Sequence, residues 1–189
     1  GREGPRPPGH ERASPPPVRR AGLLALLLLA VSCGSTEPSE WSEVEPILAL
    51  GGETSDPVPV DRVLPDGRYW ATAHEVIGSD GISFRVVKAR FGGTCEKWAT
   101  ENGMTEGCMN DYAVDEAGAQ MLVTDDVDWV SVADPKGPGT SYRIRYSTLE
   151  KFVRNEQVDH PTGYGWAGFP FVLTVEDGDV TGIDQYWVP

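Results

Sequence analysis

Apolar positions follow two patterns along the chain. Across residues 21–31 they run unbroken, and from residue 68 onward they alternate with polar ones in short stretches. Alternation is the pattern of half-buried strands. Pro65-Asp66-Gly67 reads as a turn, followed by a strand over residues 68–77. Gly78-Ser79-Asp80-Gly81 reads as a hairpin connection, with Ile82, Phe84 and Val86 alternating along the return strand. Thr94 is expected to N-cap a short helix through Asn102, with Cys95 in its first turn and Gly103 as its stop. Tyr112 and Val114 mark a third strand, and residues 120–124 and 127–132 two more. Tyr142, Ile144 and Tyr146 alternate against Arg143 and Arg145. Ser147-Thr148-Leu149-Glu150 has the form of a capping box, and Leu149, Phe152 and Val153 follow at helical spacing. Phe171, Leu173 and Val175 lead into an Asp177-Gly178 turn, and residues 180–187 lead out as a hairpin. Seven or so short strands and one or two short helices predict a mainly β, β-rich α+β domain built as a small antiparallel barrel or sandwich. There is no internal repeat.

That domain is expected over residues 61–189, a length suited to one core. Residues 33–60 are rich in Ser, Thr, Glu, Pro and Gly, and read as a flexible acidic tether in which 44–50 could form a transient helix. Of residues 1–17, thirteen are Gly, Pro, Arg or Ala. Such a stretch is what GC-rich DNA encodes upstream of a true start, so synthesis is expected to begin at Val18 and residues 1–17 to be an upstream extension.

Arg19-Arg20, the apolar run 21–31 and the small residues around Cys33 have the order of an export signal. The run is about half the length that spans a membrane. Leu29-Ala30-Val31-Ser32-Cys33 resembles the lipobox of bacterial lipoprotein signal peptides, departing only at Ala30, where Leu is commonest. The resemblance implies that residues 18–32 are removed and that Cys33 carries diacylglycerol. It also implies that the protein is held to the outer face of the cell membrane, since two acyl chains suffice to anchor a soluble domain.

Cysteine and charge fit that setting. Removing residues 1–32, which hold five Arg and two Glu, takes the formal net charge from −13 to −16. Such a balance disfavours nucleic acid and adsorption to anionic lipid, so membrane contact is expected through the anchor alone. With Cys33 lipidated, Cys95 and Cys108 remain to pair as a disulfide in an oxidising compartment. Two thiols without a nearby His do not by themselves make a metal site.

The stretch Leu64-Pro65-Asp66-Gly67-Arg68-Tyr69-Trp70, with Asn110-Asp111-Tyr112, the residues 174–180 and the closing Tyr186-Trp187-Val188-Pro189, is similar to a group of exported proteins and lipoproteins of actinobacteria. The likeness covers most of residues 64–189. That group has no assigned activity, so the resemblance supports the domain boundaries and the exported setting alone.

Candidate chemistry is sparse. His74 falls within a strand and His160 before Pro161, and neither lies in a hydrolase motif. Asp125-Asp126-Val127-Asp128 offers oxygen ligands but lacks the Gly and the closing Glu of an EF-hand loop, and a solvated turn explains it as well. Gly163 to Gly168 are not followed by the Lys-Ser/Thr of a phosphate loop, and nothing selects a catalytic pair among the carboxylates. No catalytic residue, metal or cofactor is therefore expected. The stretch Gly163-Tyr164-Gly165-Trp166-Ala167-Gly168-Phe169 is a candidate partner-binding loop through Tyr164, Trp166 and Phe169. In the alternative, Trp166 and Phe169 fold back to cap the core. The reading is an envelope lipoprotein whose β domain binds a protein or glycan without enzymatic activity. A cell-envelope hydrolase and a secreted-type enzyme inhibitor are the alternatives.

Overall fold

The computed structural model describes residues 39–47, 50–57, 63–79, 81–104, 108, 110–124 and 127–189. The expectations for residues 1–17, the export signal and Cys33 lie outside them.

Among the described residues, eight strands and two helices follow in the order β1 (Ser42–Val44), β2 (Gly67–Val76), β3 (Ile82–Phe91), α1 (Gly92–Glu101), β4 (Tyr112–Thr124), β5 (Trp129–Ala133), β6 (Ser141–Arg145), α2 (Tyr146–Val153), β7 (Phe171–Glu176) and β8 (Asp179–Gln185). The fold is mainly β with two short helices, as the alternation predicts. All eight strands belong to one sheet, in the order β1-β6-β5-β8-β7-β2-β3-β4. Its ladders are antiparallel except at β5–β8, which run parallel and are bridged by the single pair Ser131↔Asp184. The hairpin β7–β8 turns through Asp177 and Gly178, both at positive φ (54° and 87°), the geometry that suits the right-handed twist of flanking strands.

The sheet is rolled. The Tyr146 hydroxyl, at the junction of β6 and α2, accepts a hydrogen bond from the Ile82 N–H at 2.7 Å and donates one to the Thr124 carbonyl. In a flat sheet β6 and β3, five strand spacings apart, would be separated by about 24 Å, so one side chain can join them only if the sheet curls. Tyr69, Phe84, Val130, Ile144, Leu173 and Ile183 come from six strands yet form one buried cluster with Leu149 and Phe152 of α2. A smaller cluster on the other face gathers Leu50, Trp70, Val87, Ala89, Phe91 and Val172.

Three local expectations change. Residues 120–124 are not a separate strand but the far half of β4. Register slips between Val86↔Gln120 and Lys88↔Asp115, so residues 116–119 bulge out, with Gly118 at φ 78°. Helix α1 starts at Gly92, whose φ of 52° turns the chain straight out of β3, and Thr94 is not its cap. Helix α2 starts at Tyr146, one residue ahead of the expected Ser147 cap. The carboxylate of Glu40 takes over there, accepting hydrogen bonds from the Arg145 N–H and the Thr148 hydroxyl.

The largest correction concerns the tether. The described part of residues 33–60 is packed on the domain, which therefore begins upstream of residue 61. β1 pairs with β6, and residues 44–50 contain no helix among those described. Thr54 exchanges backbone and side-chain hydrogen bonds with Ala89 (2.8 and 2.9 Å), and Phe91 N–H reaches the Gly52 carbonyl at 2.7 Å. Ion pairs of Lys88 with Glu53 and Asp56, and of Arg90 with Glu53, hold the same segment. These acids raise the Lys88 pKa, Asp56 foremost, against the opposing effect of burial. A polar composition favours disorder, but polar backbone and acidic side chains here find partners on β3.

Candidate functional site

The aromatic stretch around Gly165 does not stand out from the surface. Tyr164 is buried, with its ring centroid 5.0 Å from Trp41, 5.7 Å from Tyr142 and 6.2 Å from Phe152. Trp166 lies flat on Phe152 at 4.6 Å, an offset pairing that places it over α2. Phe169 sits apart from both, half-buried beside Trp187. Two of the three expected residues thus meet around Phe152 and the third does not join them. The Tyr164 hydroxyl makes no hydrogen bond among the described residues. Desolvation, reinforced by Asp134 and Tyr142, pushes its pKa far above the ordinary tyrosine value.

Trp41 completes this cluster from the N-terminal side, packing edge-on against Tyr142, Phe152, His160 and Tyr164. Its backbone φ is +63°, a left-handed conformation that a bulky residue rarely adopts. The ring contacts and the bond from Trp41 N–H to the Arg143 carbonyl (2.8 Å) hold it there. His160 remains exposed at the edge of the cluster, and His74 is exposed on β2.

Cys95 and Cys108 lie at disulfide distance, with Cα atoms 6.1 Å apart. Cys95, in α1, is fully buried. Asp125 and Asp126 fall outside the described residues. Val127 is buried, and the Asp128 carbonyl accepts the Tyr146 N–H at 3.1 Å beside the Trp129↔Arg145 pair. Among the described residues no group of three His, Cys, Asp or Glu side chains could hold a metal ion.

Among the described residues, two depressions lie on the outer face of the sheet. One, of about 180 Å³, lies over Trp70 and Tyr112 and is rimmed by the Arg85–Glu116 ion pair. Trp70 itself is only 2 % exposed, so the slot shows little of the ring. The other, of about 300 Å³, opens where β5 and β8 diverge on either side of the Ser131↔Asp184 bridge.

Strand register builds this second groove. Antiparallel partners share a face, so the pairs Ser131↔Arg143 and Trp129↔Arg145 put all four side chains outward with Asp184, opposite the core residues Val130 and Ile144. The guanidinium of Arg145 sits 3.8 Å from the Trp129 ring centroid, and that of Arg143 5.3 Å from it. Asp184 Oδ1 accepts the Ser131 hydroxyl at 2.6 Å. Its Oδ2 leans over Gly182, 3.5 Å from where a Cβ would stand. A side chain there would also crowd Thr174 at 3.3 Å, so the glycine creates the floor of the groove. Periodicity marks these residues as outward-facing, but no local motif joins them: they meet through pairings of β5 with both β6 and β8.

No protein-family model, curated protein or solved structure matches the chain significantly.

Proposed function

We propose that this chain is an exported lipoprotein, anchored by lipid on Cys33 to the outer face of the cell membrane, whose β domain binds a glycan or protein partner of the cell envelope. The observation that carries the binding role is the groove between β5 and β8. It sets an aromatic ring, a cation and a carboxylate around a preformed cavity at the lower end of the size range of small-molecule sites. The lipobox-like sequence supports the anchor. The outward set Trp129, Arg143, Ser131 and Asp184 supports recognition over catalysis. Asp184 is tied through Oδ1 to the Ser131 hydroxyl, and among the described residues no histidine lines the groove.

The anchor is tested by growing cells with a clickable fatty acid. The wild-type protein should take up label and Cys33→Ala should not, and a labelled alanine variant refutes the anchor. The binding role is tested by recovery of envelope material on the immobilised full chain. Wild type should retain a partner that Arg143→Ala and Trp129→Ala lose, with circular dichroism showing both variants folded. Equal retention by all three places the partner elsewhere.

A further inference from the structure

The hydrogen-bonding character of the groove narrows its ligand, on the reading that the groove is the binding site. Asp184 Oδ2 is an acceptor without a proton to give, and the Arg143 guanidinium is a donor without a lone pair. They stand on either side of Ser131 in one cross-strand row. A group that serves both must donate and accept at once, which is what an alcohol does.

Charge argues the same way by exclusion. An anionic ligand meets Asp184 and Glu45, which both line the groove, and a cationic one meets Arg143 with Arg145 close behind. Unfavourable pairings of this kind discriminate against the wrong ligand as effectively as contacts favour the right one. Trp129, with the Arg145 guanidinium over its ring, adds an aromatic wall. Peptide amides carry donors and acceptors too, but they are spaced along a chain, whereas these groups converge on a cavity only about 300 Å³ in volume.

We infer that the β5–β8 groove is a subsite for one neutral hexopyranose residue, with its hydroxyls shared between Asp184 and Arg143 and one edge of the ring against Trp129.

The test uses the full chain in detergent, labelled with ¹⁵N, and titrated with the methyl glycosides of glucose, galactose and mannose, and with glucuronate and glucosamine. At least one neutral glycoside should move the Trp129 indole and Gly182 amide resonances. Both charged sugars should bind roughly tenfold more weakly, as mismatched charge requires. Asp184→Asn replaces one acceptor by a donor at nearly constant shape and should lose the shifts. An unchanged melting temperature then separates lost recognition from lost folding. Shifts that map outside the groove, a charged sugar that binds better than every neutral one, or silence from all three glycosides at tens of millimolar overturns the inference. The Cys33→Ala chain should bind like wild type, so failure of the sugar assay and failure of the lipid anchor are read independently.

Discussion

Replacing Trp41 tests whether the N-terminal segment belongs to the cooperative fold. A fully buried Trp truncated to Ala costs about 3–5 kcal/mol. Trp41 is half-buried, and it contacts four rings at centroid distances of 5.0 to 6.3 Å. Roughly half of the full burial value, with a further contribution from those edge contacts, puts Trp41→Ala at about 2–3 kcal/mol. The φ of +63° adds a second signature. Alanine keeps the left-handed strain of about 1–2 kcal/mol and glycine does not. Trp41→Gly should therefore be more stable than Trp41→Ala by about 1 kcal/mol, the reverse of the order seen in helices and strands. Urea unfolding followed by near- and far-UV circular dichroism measures both differences. An unchanged midpoint for Trp41→Ala, or an alanine variant more stable than the glycine one, refutes the account and restores a free tether.

Two further outcomes follow from buried groups. Tyr164 has its pKa raised above 10.0, chiefly by desolvation, so its contribution to stability is complete below the unfolded tyrosine value and is lost as pH climbs through the folded one. Tyr164→Phe should cost little at neutral pH, because it also removes an unpartnered hydroxyl. It should flatten the fall in stability above pH 10.0, and a wild-type alkaline limb in the variant's urea midpoints would contradict this. Peptide mapping without reductant should find Cys95 and Cys108 joined. Their double replacement by Ser should destabilise by about 3 kcal/mol, the value for a loop of this length, and two alkylatable thiols in the exported protein would refute the bond.

What could be read from the chain was local. The β2–β3 and β7–β8 hairpins carry their turn chemistry between two alternating runs, and both form as expected. Tyr142 and Ile144 announce the inward face of β6, although Tyr146 already belongs to α2. The misses share a cause, which is a partner remote in sequence. Ser147 offered a cap to α2, but Glu40 arrives from more than a hundred residues away and takes its place. Residues 50–57 looked unstructured until β3 supplied Ala89, Lys88 and Arg90. Tyr164 and Trp166 were visible as an aromatic pair, yet nothing nearby shows that Phe152 and Trp41 cover them. The groove is the extreme case, since each of its residues is unremarkable alone and only the register of three strands assembles it.

The parallel junction of β5 with β8 has a mechanical consequence. It divides the sheet into two leaves, β1-β6-β5 and β8-β7-β2-β3-β4, with only one residue pair of backbone ladder between them. Side chains take over the missing stitches. Gln185, 1 % exposed, receives the Ala133 N–H at 3.0 Å and donates to the carbonyls of Ala167 and Phe169. Ser131 and Asp184 close the seam from the outside. A ladder would distribute the load along the strand, but here it rests on a few bonds worth about 1 kcal/mol each. Partial opening should begin along this line, exposing the amides of β5 to hydrogen exchange before those of β2 or β3. The groove straddles the same line, with Trp129 on one leaf and Asp184 on the other, so any molecule that fills it also clamps the two leaves together.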